Sequence, residues 1–144
     1  MVYHPELSDR LQKLFEDAMT HGTDIIDRGE QLIPFLFTTG SSGGKITVFV
    51  NDSDDMASQG IYDAKLQISD SKQEIDAYVL GYDALLPLAD SSQIDALILE
   101  GSERGISFGF IFARCYYQRE EDGEIVFIID GNGFLQKSEQ LLTT

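Results

Sequence analysis

Six side chains in the second half of the chain carry the chemistry this sequence offers: Tyr78, Tyr82, Glu100, Glu103, Arg104 and Arg114. Glu100-Gly101-Ser102-Glu103-Arg104-Gly105 joins two apolar runs, and its carboxylates and guanidinium suit either an ion pair or a polar ligand. Asp76, Tyr78, Tyr82 and Asp83 on the preceding run, with Arg114 and Tyr116, would line a pocket if a sheet brought them together. The competing reading is turn chemistry, because glycines bound the segment at both ends.

Other motifs fail the context that their chemistry requires. Gly40-Ser41-Ser42-Gly43-Gly44-Lys45 has the glycines and lysine of a phosphate loop, but Thr39 replaces the first glycine and a strand pattern follows instead of a helix. It reads as a hairpin link. Asp130-Gly131-Asn132-Gly133, with Glu139 downstream, follows part of a calcium loop. Ile128 takes the place of the first ligand and a strand precedes it, so a turn ending the last strand is expected. Asn51-Asp52-Ser53-Asp54-Asp55 reads as a capping loop, with Ser53 or Asp54 as the cap. Cys115, the single cysteine, lies in an apolar strand on the face opposite Arg114, and is expected to be buried and structural. His4 and His21 both fall in the first 21 positions, are expected at the surface or at helix ends, and leave no triad to assemble. No catalytic residue, cofactor or metal is assigned.

The elements follow from periodicity. Leu7, Leu11, Leu14, Phe15, Ala18 and Met19 recur at helical spacing, with Pro5 in the first turn and an end at Gly22 or, through Ile25 and Ile26, at Gly29. Runs at 32–39 and 45–50 form a hairpin, with Pro34 at a strand start or an edge. A second helix carries Met56, Gly60, Ile61, Ala64 and Ile68. Strands at 75–83, 93–100, 106–118 and 124–130 complete the chain, the last two joined by Asp122-Gly123. Short links favour an antiparallel meander. The expected fold is therefore one α+β domain over residues 1–144, a single antiparallel sheet of about six strands with two helices, in the order α-β-β-α-β-β-β-β.

The strand at 106–118 is apolar on both faces: Phe108, Phe110 and Phe112 point one way, Ile111, Ala113 and Cys115 the other. If both helices cover one face, the second must be closed by loops or curvature, or by another protein, most simply a second copy.

The chain has 144 residues, 25 acidic and 10 basic, for a formal charge of −15. Such a balance argues against direct nucleic-acid binding, which rests on clustered Lys and Arg. A dispersed negative surface serves solubility, or docking on a basic partner. There is no apolar run of membrane-spanning length and no signal-peptide pattern, so no membrane association and a cytoplasmic location are expected.

The segments Ala77-Tyr78-Val79-Leu80-Gly81-Tyr82-Asp83, Ile94 to Glu100 with Glu103-Arg104-Gly105, and Phe110-Ile111-Phe112-Ala113-Arg114 resemble a group of small uncharacterised bacterial proteins. That group has a Tyr-x-Leu-x-Tyr-Asp-Gly strand, a Thr-Asp-Ala-x-x-x-Glu strand, Glu-Arg-Gly, and a Phe-Ala-Gln-Arg-Tyr strand. This chain departs at Ala84, where Gly is usual, and at Arg114-Cys115 in place of Gln-Arg. The resemblance implies a bacterial source and no particular activity. Two functional expectations remain: a non-enzymatic acidic module that binds a protein partner or itself, a homodimer included; or a small-molecule-binding protein or small enzyme with a polar site at the 100–105 loop.

Overall fold

Alternation at 45–48 and the glycine link before it dictate a hairpin, and a computed structural model contains it: β1 (Phe35–Gly40) pairs antiparallel with β2 (Lys45–Val48), Phe37 opposite Ile46 and Phe35 opposite Val48. The structure describes residues 4–41, 43–87, 90 and 92–142, and only the backbone at 118, 119, 121 and 124–132. Four longer strands follow, β3 (Ile75–Pro87), β4 (Gln93–Glu103), β5 (Gly109–Glu121) and β6 (Glu124–Ser138). They form the expected meander, and the six-stranded antiparallel sheet has the order β2-β1-β3-β4-β5-β6. Element order and fold class are those read from the sequence.

The helices are α1 (Asp9–Asp27) and α2 (Met56–Asp70). Helix α1 begins later than Pro5, because Ser8 caps it by accepting the Leu11 N–H. It runs through Gly22, whose bare Cα lets the helix lie against Leu97. It ends at Gly29, where φ is +74°, in a Schellman closure: the Gly29 N–H donates to Ile26 O and the Glu30 N–H to Ile25 O. Helix α2 is capped by Asp55, which accepts the Ser58 N–H, and not by Ser53 or Asp54. Ser53 accepts the Asp55 N–H instead, so Asn51, Ser53 and Asp55 each use a side-chain oxygen on a local turn or cap.

The helices do not share a face, the condition under which the sequence reading asked for a covering layer. Strands β2 and β3 flank β1 and run parallel to each other, so the chain between them must cross over a face of the sheet. Helix α2 makes that crossing, burying Ala64 and Ile68 against Leu36, Tyr78 and Leu80. Helix α1 takes the opposite face, burying Leu11, Phe15, Ala18, Met19 and Ile26 against Phe35, Val79, Leu97, Leu99, Phe110 and Phe112. Both pleats of β3 are therefore core. Beyond α2, on its face, Ala96, Ile98 and Ala113 form a third cluster with Tyr82, Ala84, Leu86, Ile111 and Cys115 packed round it.

One further expectation changes and another holds. Asp130–Gly133 does not end the last strand; β6 continues through it to Ser138, and the register slips between Arg114 and Tyr116 where the two strands bulge. The side chains of Asp130 and Asn132 lie outside the described residues. The Asp122-Gly123 hairpin signal holds, with positive φ at both residues (51° and 82°), as a type I′ turn needs. Among the described residues, no helix is long and apolar enough to cross a membrane.

Candidate functional site

Strand parity disperses the six candidate side chains. Tyr78, Tyr82 and Glu100 share the α2 face, since Leu80 pairs with Glu100 and Tyr78 with Ser102. Glu100 is 8% exposed, and both its oxygens are engaged: Tyr82 OH donates to Oε2 at 3.1 Å and Lys65 Nζ of α2 lies 3.2 Å from Oε1. Lys65 also reaches Glu139, at 3.6 Å. The Leu141 N–H donates to Tyr78 Oη, so the C-terminal segment is tied to the same region. Burial first, and then the Glu100 charge, push the Tyr82 phenol far above its ordinary range; burial does the same for Tyr78. Both stay protonated and act as hydrogen-bonding groups, not as bases.

Glu103 points to the other face. Its Oε2 accepts from Ser8 Oγ (2.7 Å) and from Arg10 (3.1 Å), joining the start of α1 to the end of β4. Arg104 turns outward along the sheet end, where Nη2 donates to the carbonyls of Lys72 and Ile75 and Nε sits 3.8 Å from Asp76. Arg114 lies under the second half of α1 and donates to Thr23 Oγ1 at 3.0 Å. Six residues that looked like one constellation occupy four places, with most of their polar atoms committed to neighbours in the fold. Parity could have shown this in part, because Glu100 and Glu103 are an odd number of positions apart on one strand.

Tyr116 and Asp83 do meet: the phenol donates to Oδ1 at 2.7 Å, in a cleft of about 360 Å³ beneath the end of α1, beside Asp95 and Leu32. Burial raises the Asp83 carboxyl above its ordinary value; the Tyr116 hydrogen bond opposes this and the Asp95 charge adds to it. His21 is neither a surface nor a helix-end residue. It sits inside α1 with its ring 4.6 Å from Phe35 and 5.5 Å from Phe37.

The largest described cleft is elsewhere, between α1 and the β1–β2 hairpin, with a volume of about 560 Å³. Leu14, Phe37 and Ile46 line it with Arg10, Lys13 and Lys45. Sequence reasoning placed Leu14 on the buried stripe, gave Arg10, Lys13 and Lys65 no role, and met Lys45 and Glu139 only in the phosphate-loop and calcium-loop patterns it set aside. The signal available was Leu14 itself, which lies one step off the Leu11–Phe15–Ala18 line on the side of Arg10 and Asp17. Comparison with family models, with curated proteins and with solved structures finds no match.

Proposed function

We propose that the protein is a non-enzymatic module that associates with a second copy of itself through the free edge of β2. The observation that carries this reading is the direction of the β2 backbone. The Phe49 N–H donates to Pro34 O, which continues the β1–β2 register, so the main-chain groups of Lys45, Thr47 and Phe49 face β1. Those of Ile46 and Val48 must then face outward, at the end of the sheet. The same two residues leave their side chains 54% and 48% exposed, and Val50 beyond them is 70% exposed. An unpaired strand edge with aliphatic side chains along it is a template for an added strand, and a two-fold axis lets β2 supply its own partner.

Support also comes from the other candidates. Residues 100–105, which end β4 instead of forming a loop, spend their polar atoms on α1, α2 and the 72–76 segment, which leaves the small-ligand alternative little chemistry to use.

Analytical ultracentrifugation tests the reading, with Val48→Pro and Ile46→Lys as variants. Val48→Pro deletes an outward donor while sparing the ladder to β1, and Ile46→Lys places charge on the exposed pleat. The expected result is a wild-type dimer that strengthens as salt rises, because each copy carries a formal charge of −15. Both variants are expected to be monomeric with an unchanged circular dichroism spectrum. A wild-type monomer at every concentration, or a dimer indifferent to both substitutions, rejects the proposal. Association with a basic partner would weaken with salt, the opposite sign.

A further inference from the structure

The geometry points to one register for the β2–β2 contact: the two-fold axis passes through Val48, and Lys45 of each copy meets the acidic segment 51–55 of the other. This inference rests on self-association through β2 and deepens it, by naming the side chains that make a second copy of this chain the fitting partner.

The backbone limits the registers a two-fold axis allows. Lys45 and Thr47 lie opposite Thr38 and Leu36 of β1, and the Phe49 N–H donates to Pro34 O, so the odd positions spend their main-chain groups inward. Gly44, Ile46, Val48 and Val50 are left facing outward. An antiparallel partner must set outward positions against outward positions, so the axis falls on one of residues 46 to 49, around the middle of the exposed edge.

Side chains choose among the four. Ile46, Val48 and Val50 are exposed aliphatics on the α1 pleat, since Ile46 faces Leu14 while Thr47, on the other pleat, meets Gln67 of α2. An axis at 46 sets Val48 against the partner's Gly44, and one at 47 does the same to Val50. An axis at 49 sets Ile46 against the partner's Asp52. Only the axis at 48 gives all three an aliphatic neighbour: Val48 meets the partner's Val48, and Ile46 meets the partner's Val50 on either side of it.

Charge selects the same register. Lys45 is exposed and makes no ion pair among the described residues. With the axis at 48 it lies opposite the partner's Asn51, where the exposed Asp52 and Asp54 follow. Axes at 46 and 47 hold it opposite the partner's Thr47 or Phe49, short of those carboxylates. Each copy carries a formal charge of −15, so the two edges approach best where a cation of one reaches the acids of the other.

Cysteine cross-linking reads the register, while sedimentation reads the dimer itself. Val48→Cys is expected to give a covalent dimer on mild oxidation, because facing residues of a hydrogen-bonded antiparallel pair lie about 5.5 Å apart at Cα, within disulfide reach. Thr47→Cys and Ile46→Cys are expected to stay uncrosslinked, with their two copies about 8 Å and about 14 Å apart. Wild type, whose Cys115 lies on β5 away from the β2 edge, is the control and should not cross-link. Lys45, Ile46 and Val48 are exposed in the single chain, so changing them leaves the fold in place. Lys45→Glu should weaken the dimer about tenfold, and Lys13→Glu, which alters net charge equally from α1, by clearly less. Lys45→Glu/Asp52→Lys, again at a formal charge of −15, should recover the wild-type affinity. A cross-link at 46 or 47 in place of 48, equal weakening by the two glutamate variants, or no recovery in the swap overturns the register while the dimer stands. A wild-type monomer at every concentration rejects the β2 edge, and the register with it.

Discussion

Ser8 does two jobs with one hydroxyl. Its oxygen accepts the Leu11 N–H at 3.1 Å, closing the first turn of α1, and its hydrogen goes to Glu103 Oε2 at 2.7 Å. Glu103, 8% exposed, is balanced by Arg10 at 3.1 Å, so the cap, the carboxylate and the guanidinium form one joint between α1 and β4. Ser8→Ala removes the cap and strips one partner from a buried carboxylate, and should cost about 1–2 kcal/mol in chemical denaturation. Ser8→Asn, which still caps and can still donate, should recover most of that. Ser8→Asp caps as well but sets a second negative charge against Glu103, and should be the worse of the two. Equal stability of the Asp and Asn variants would show that Glu103 does not sense position 8. The sequence reading put Pro5 in the first turn and named no cap for α1, and the Glu103 partner of Ser8, 95 positions along the chain, had no local signal.

At the scale of elements, α1 is held by aromatic contacts on its inner face. His21 meets Phe35 and Phe37, and its Nε2 is buried with no hydrogen-bond partner among the described residues. Burial, and then the Arg28 charge, hold the imidazole below its ordinary value of 6.5, with Asp24 in partial opposition. As pH falls through 6.5 the unfolded chain takes up a proton that the folded chain refuses, so the unfolded state gains. The loss of stability grows until pH reaches the lower folded value. His21→Phe should therefore lose less stability than wild type between about pH 7.5 and about pH 5.5, measured by urea unfolding at each pH. Identical slopes for the two proteins would refute the account. The stripe that makes α1 a helix is plain in the sequence, and so is the two-sided character of β5. Which helix meets which face was not, because period alone identifies the faces of an element without saying which neighbour covers them.

For the whole molecule the governing number is the formal charge of −15. Among the described residues, surface pairs such as Lys13–Asp17 and Arg28–Glu30 are exposed, and each contributes little. Self-repulsion of the compact state outweighs them, and it is screened over a Debye length of about 10 Å at 0.1 M salt. Raising sodium chloride from about 0.02 M to about 0.5 M should thus raise the melting temperature. A fall would mean that specific ion pairs, led by Lys65–Glu100 and Arg10–Glu103, prevail over the net charge.

The elements, their order, the antiparallel meander and the hairpin turns were all legible in the order of residues. Those features depend on periodicity and on local backbone chemistry, which act over a few positions. Folding in three dimensions was needed to send α2 across one face of the sheet while α1 covers the other, and to join Glu100 to Lys65 and Glu103 to Ser8. It also set Arg10 and Lys13 of α1 beside Phe37 and Ile46 of the hairpin in one cleft. The physical reason is range: side chains from distant segments meet only after strand pairing fixes their register, and one step of parity sends neighbours on a strand to opposite sides of the sheet.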